Sequence, residues 1–155
     1  MTLTATTHLN FRGDARAALE FYQSVFGGHL LVTTYGDFGM PKDAPGADGV
    51  VFGQVATAEG FRLLAYDIPG QAGGSPDNAG STRRENGVTI TDQPFFVSVE
   101  GGSLDEVQGY WEKLSSGASI VEPLAASAWS VGFGMLTDRF GVTWILGVAA
   151  DYTAS

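Results

Sequence analysis

The 155-residue sequence has no cysteine, two histidines (His8 and His29) and 8 basic side chains against 17 acidic ones. The missing thiols exclude disulfide frameworks, thiolate zinc sites, iron–sulfur clusters and cysteine nucleophiles. Two histidines leave little material for a multi-histidine metal centre. The formal charge of −9 repels phosphate backbones and anionic headgroups. The one basic pair, Arg83-Arg84, is too small for a nucleic-acid footprint. No apolar run approaches the roughly 18 residues of a membrane span. Met1-Thr2-Leu3-Thr4-Ala5 lacks the basic and apolar regions of a signal peptide. These absences lead us to expect a protein of the cytoplasm, with no nucleic-acid or membrane partner.

What is present is ordinary globular composition, 44% hydrophobic and 16% charged. Asp14 is placed to cap a helix in which Ala18, Phe21, Tyr22, Val25 and Phe26 share a face, ending at Gly27-Gly28. Ser103 and Glu106 have capping-box spacing before a second helix, whose face carries Leu104, Val107, Trp111 and Leu114 and which ends at Gly117. The interior Gly109 weakens that helix. Strand patterns cover Thr6–Phe11, Leu30–Tyr35, Val50–Ala58 and Phe61–Asp67 around the first helix. Around the second they cover Pro94–Val99, Ser119–Glu122, Gly134–Asp138 and Val142–Val148. Both halves read strand–helix–strand–strand–strand.

The halves also repeat residue by residue. At one offset Asp14 corresponds to Ser103, Tyr22 to Trp111 and Gly28 to Gly117; at another, Gly60 and Leu64 correspond to Gly141 and Ile145. The expected organisation is a first βαβββ module over 1–68, a Gly-rich linker over 69–91, a second module over 92–150 and a tail over 151–155. Asp37–Gly49, with two prolines and three glycines, is a loop long enough to be a lid.

The motifs His8-Leu9-Asn10-Phe11-Arg12-Gly13-Asp14, Ala18-Leu19-Glu20-Phe21-Tyr22, Val25-Phe26-Gly27-Gly28 and Gly39-Met40-Pro41-Lys42 carry a family resemblance. So do Asp67, Trp129, Gly132-Phe133-Gly134, Thr137-Asp138-Arg139-Phe140-Gly141-Val142 and Trp144. Together they resemble the glyoxalase/bleomycin-resistance/dioxygenase superfamily, or vicinal oxygen chelate. Within it the chain looks like the PhnB-like branch, often labelled demethylubiquinone-methyltransferase-like. The resemblance implies an α+β fold of two tandem βαβββ modules, whose curled mixed sheet surrounds a central cleft. It also implies a homodimer.

Members of this superfamily usually place a metal ligand on the first and last strand of each module. Here His8 lies within one residue of the first position. The first strand of the second module offers Phe95, Phe96, Val97 and Ser98, the last strand of the first offers Leu63 to Tyr66 before Asp67, and Ile145 stands where Glu is common. At most His8 and Asp67 are available, so we expect no metal site and no cofactor. The histidine that many PhnB-like relatives carry on the third strand aligns with Gly53.

The candidate ligand-binding residues are His8, Asn10, Tyr35, Gln54, Asp67, Trp129 and Trp144, with Met40 beside them; the family resemblance alone places Tyr35, Gln54 and Met40 near the cleft. Each has a plain structural reading beside the functional one. His8 is a ligand-orienting group or a satisfied histidine at a sheet end. Asp67 is a base at a cleft rim or a cap for the turn Ile68-Pro69-Gly70. Trp144 packs in a core or lines a cleft, and Trp129 serves a ligand or an interface. Asp138-Arg139-Phe140-Gly141 reads as a turn, with Gly141 supplying the positive φ. The expected function is metal-free binding or sequestration of a small organic molecule in an aromatic-lined cleft. The alternative is a lyase- or isomerase-type enzyme using His8 and Asp67 as acid and base or as weak metal ligands.

Overall fold

The computed structural model describes residues 3–70, 82–126 and 130–149. It divides into two compact units, Met1–Ser75 and Pro76–Ser155. Unit 1 contains β1 (Thr7–Phe11), α1 (Ala15–Phe26), β2 (His29–Thr34), β3 (Val50–Ala56) and β4 (Arg62–Asp67). Unit 2 contains β5 (Thr82–Glu85), β6 (Val88–Thr91), β7 (Val97–Gly101), α2 (Leu104–Leu114), β8 (Ser119–Ala125), β9 (Phe133–Thr137) and β10 (Thr143–Val148). The α+β class and the tandem βαβββ order stand. The sheets are ordered β1-β4-β3-β2 and β7-β10-β9-β8, so each is mixed: its one parallel pair sets the first strand of the module beside the last, while the helix carries the chain from the first strand to the strand at the opposite edge.

In each unit the helix covers one sheet face, and a glycine on the third strand of the βαβββ order makes the approach possible. A Cβ on Gly53 would run into the Leu19 side chain, and one on Gly134 would lie 2.8 Å from Trp111 Cζ3. Unit 1 buries Leu9, Leu19, Tyr22, Val55, Leu63 and Ala65 in this layer, and unit 2 buries Val107, Leu114, Leu136, Trp144 and Leu146. Position 53 therefore faces α1, and a side chain there would point away from the helix-free face. Phe52 and Gln54, its neighbours on β3, stand on that face.

Several local expectations change. Asp14 makes no side-chain cap bond; the opening of α1 is held instead by Asp67, whose Oδ1 accepts from Gly13 N at 2.8 Å and Ala15 N at 3.0 Å. Ser103 does cap α2, accepting from Glu106 N at 3.2 Å, while Glu106 Oε2 accepts from Gly102 N. Strand β8 continues past Glu122 to Ala125 through two register shifts. It tolerates Pro123 because it is the sheet's edge strand. Thr82–Thr91, within the segment read as linker, forms the β5–β6 hairpin through Asn86 and Gly87, both at positive φ. The Asp138–Gly141 segment is a turn, with Gly141 N bonded to Asp138 O and Gly141 at φ 86.

Candidate functional site

The long loop between β2 and β3 folds back on itself. Tyr35 N donates to Gly49 O (3.0 Å), Gly36 N to Ala47 O (2.9 Å) and Met40 N to Tyr35 O (3.0 Å), while Ala47 is buried beneath it. Such a loop packs as a unit and is not a slack lid. Between it, the start of α1 and the end of β4 lies a cavity of about 450 Å³. Its wall includes Arg16, Ala17, Tyr35, Met40, Asp48 and Asp67, with Pro45, Ile68 and Pro69 adding apolar surface.

Asp67 organises this corner. It is buried, and besides the two bonds to the α1 entry its Oδ2 accepts from Val50 N at 2.9 Å, so one carboxylate ties β4 to α1 and to β3. Three N–H donors leave the group committed to holding the wall. Tyr35 donates its hydroxyl to the Asp67 carbonyl at 2.7 Å. Burial, with Tyr66 and Asp67 nearby, pushes the Tyr35 phenol above its ordinary pKa. Asp37 moves the other way: bonds from the Thr34 N–H and hydroxyl region, then Lys42 and Arg16, hold its carboxyl below the usual aspartate range.

The structure thus brings Tyr35, Met40 and Asp67 together, but not the other candidates. His8 and Asn10 lie on the helix-free face of unit 1, both exposed, with His8 Nδ1 3.0 Å from Asn10 Oδ1 and the imidazole edge-on to Tyr66. Gln54 shares that face: the row runs His8, Leu64, Gln54, Leu31 across the four strands. Gln54 Oε1 accepts from Arg62 Nε at 3.0 Å. Trp144 is fully buried in unit 2, its indole N–H donating to Asp138 Oδ2 at 2.9 Å. Trp129 lies outside the described residues. Sequence reading missed Arg16 and Asp48, which in one dimension are ordinary charges on a helix and a loop.

The corresponding row in unit 2 is Ser98, Ile145, Met135 and Glu122. It lies under the β5–β6 arm and the segment that follows. Arg84 sits 5.4 Å over the Phe133 ring and 4.0 Å from Glu122. Gln93 Oε1 accepts from both Thr82 and Thr143 at 2.7 Å, and Met135 has no exposed surface.

Two successive βαβββ units, each a mixed four-stranded sheet with one helix packed on it, define an α+β protein built from a tandem module. Residues 7–146 match the sequence profile of the Glyoxalase/Bleomycin resistance protein/Dioxygenase superfamily, and the chain belongs to that superfamily. It is 26% identical over 148 residues to Protein YjdN of Escherichia coli (strain K12), covering 91% of this chain and 92% of that one. Among solved structures it is similar to protein PA1353 from Pseudomonas aeruginosa, with a TM-score of 0.74, 26% identity, and coverage of 97% of this chain and 100% of that one. It also has the fold of the PhnB protein from Bacillus cereus, with a TM-score of 0.66, 24% identity, and coverage of 95% and 100%.

The superfamily's metal centre needs several donors that converge. Of the two rows, only His8 offers an imidazole, facing Leu64 and Gln54; unit 2 offers Ser98, Ile145 and Met135, with one carboxylate, Glu122, that stands 4.0 Å from Arg84. Asp67, the other sequence candidate, has its carboxylate bound to three backbone N–H groups. Among the described residues no three His, Asp or Glu side chains cluster. These residues do not fit a divalent ion, which requires several converging N or O ligands.

Proposed function

We propose that the chain binds a small organic molecule without a metal, in the cavity between α1, the 36–49 loop and the end of β4. The observation that supports this reading is the cavity itself. Its volume of about 450 Å³ falls within the range of organic-ligand sites, and most of its wall is apolar. The wall is also preorganised, because Asp67 and Tyr35 spend their polar groups on the frame. Asp67 is therefore a positioning residue in this reading and not an acid–base catalyst. Homodimerisation belongs to the same proposal; Leu31 (44% exposed) and Phe52 (38%) give the helix-free face of unit 1 apolar surface to cover. Sedimentation would read the dimer directly.

The test is a thermal-shift screen of organic metabolites and antibiotics against the wild type and Ala17→Trp. Ala17 is exposed on the cavity wall, so an indole there fills the space without disturbing a core. Ligands should raise the melting temperature of the wild type and lose most of that effect in the variant. Hits that stabilise both proteins equally would refute the cavity as the site.

A further inference from the structure

Resting on the reading of the cavity as the binding site, we propose that its occupant is a zwitterion with an apolar body, its carboxylate held by Arg16 and its ammonium by Asp48. Some polar groups of the wall are already bonded and others are not. Asp67 is used by Gly13, Ala15 and Val50, and the Tyr35 hydroxyl by the Asp67 carbonyl. Arg16 and Asp48 are exposed charges of opposite sign lining the same cavity, and among the described residues neither forms an ion pair. Arg16 also feels Asp37, but that carboxylate already accepts from Thr34 N.

The same cavity is lined by Ala17, Met40, Pro45, Ile68 and Pro69, apolar surface that accommodates a branched chain or an aromatic ring. A guanidinium takes a carboxylate through paired N–H donors, and an aspartate takes an ammonium, each as a charge-assisted hydrogen bond. A zwitterion satisfies both charges at once and carries no net charge into the field of a −9 chain. A dianion would meet Asp48 and Asp67, and a dication would meet Arg16. The ligand class that fits is the apolar amino acid or the short apolar peptide.

Isothermal titration of the full chain separates the possibilities, using L-phenylalanine and L-leucyl-L-phenylalanine beside 3-phenylpropionate and phenethylamine. At least one zwitterion should bind about tenfold tighter than either single-charge analogue. Arg16→Ala should weaken the zwitterion and 3-phenylpropionate by about tenfold and leave phenethylamine unchanged, while Asp48→Asn should weaken the zwitterion and phenethylamine only. Single-charge analogues that bind as tightly as the zwitterions, or variants that do not separate them, would overturn the inference. If those analogues still lose binding in Ala17→Trp, the cavity remains a site for another ligand. If none of the four binds, the zwitterion is refuted, and the broader screen decides the cavity by itself.

Discussion

Thr143 on β10 donates its hydroxyl to Gln93 Oε1 at 2.7 Å, across 50 residues of sequence. The same amide oxygen accepts from Thr82 at the start of β5, and Thr137 shares a 2.8 Å bond with Thr143. Thr82, Thr137 and Thr143 are all buried. One side chain thereby fastens the β5–β6 arm to the face of unit 2 opposite α2. The equivalent face of unit 1 carries no such cover among the described residues, and Gln54 there stands where Met135 is buried in unit 2.

Gln93→Ala should release the arm. It removes an acceptor shared by two hydroxyls, at a cost of about 1–3 kcal/mol. Hydrogen exchange should accelerate at Arg83–Thr91 while the amides of α1 and β3 keep their protection. Equal acceleration in unit 1 would show that Gln93 acts on global stability and not as a local fastener.

Asp67→Asn keeps size and loses charge. An amide presents one oxygen where three N–H groups now share two, so at least one donor of Gly13, Ala15 and Val50 loses its partner. The expected loss is about 2–3 kcal/mol, read from denaturant midpoints. The α1 entry should exchange faster than its centre, because the bonds lost there act as its cap. A variant as stable as wild type would refute the framing role and restore Asp67 as a candidate for chemistry.

Tyr35 and Asp37 give opposite pH signatures at the two ends of the pH scale. Asp37 has its pKa lowered on folding, so its contribution is present above the unfolded value of 3.8 and fades as pH falls through the folded one. Asp37→Asn should therefore cost stability at neutral pH, and the difference from wild type should vanish in acid. Tyr35 has its pKa raised, so its contribution holds below the unfolded value of 10.0 and is lost as pH rises through the folded one. Tyr35→Phe should cost about 1 kcal/mol at neutral pH and flatten the alkaline limb. Urea denaturation across pH checks both signs.

The tandem repeat was legible in the sequence because it rests on local periodicity and on glycines at helix ends, and Tyr22 and Trp111 both fall in their helix–sheet layers. The site was less legible. Asp67 was singled out as a site candidate, but its partners are backbone donors: Gly13 and Ala15 follow β1 and are brought in by the parallel β1–β4 pairing, and Val50 starts β3, the antiparallel neighbour of β4, none of which a local pattern encodes. Arg16 was missed because a cation on the polar face of an amphipathic helix has the same signature whether or not a loop folds over it. Gly53 was read as a lost ligand position; its place against Leu19 makes it a packing position, and a one-residue change of register reverses the face on which a strand residue stands. The β5–β6 arm was hidden in a Gly-rich stretch whose composition resembles a connector.

The paired glycines supply the most discriminating test of the repeat. Gly53→Ala and Gly134→Ala add a methyl against Leu19 in unit 1 and against Trp111 and Leu124 in unit 2, where the contacts on Gly134 lie at 2.8 to 3.0 Å. Neither position has a positive φ, so the cost is steric: about 1–3 kcal/mol each from overpacking. Gly109→Ala, in the interior of α2 with nothing within 4 Å of the added methyl, should instead stabilise by about 1 kcal/mol. The opposite signs separate close approach from simple glycine entropy. The two destabilising variants lie in different units, so their effects should add within about 0.5 kcal/mol. Additive losses would show that each helix–sheet layer carries its own packing constraint, as expected if the two βαβββ units descend from one pattern used twice.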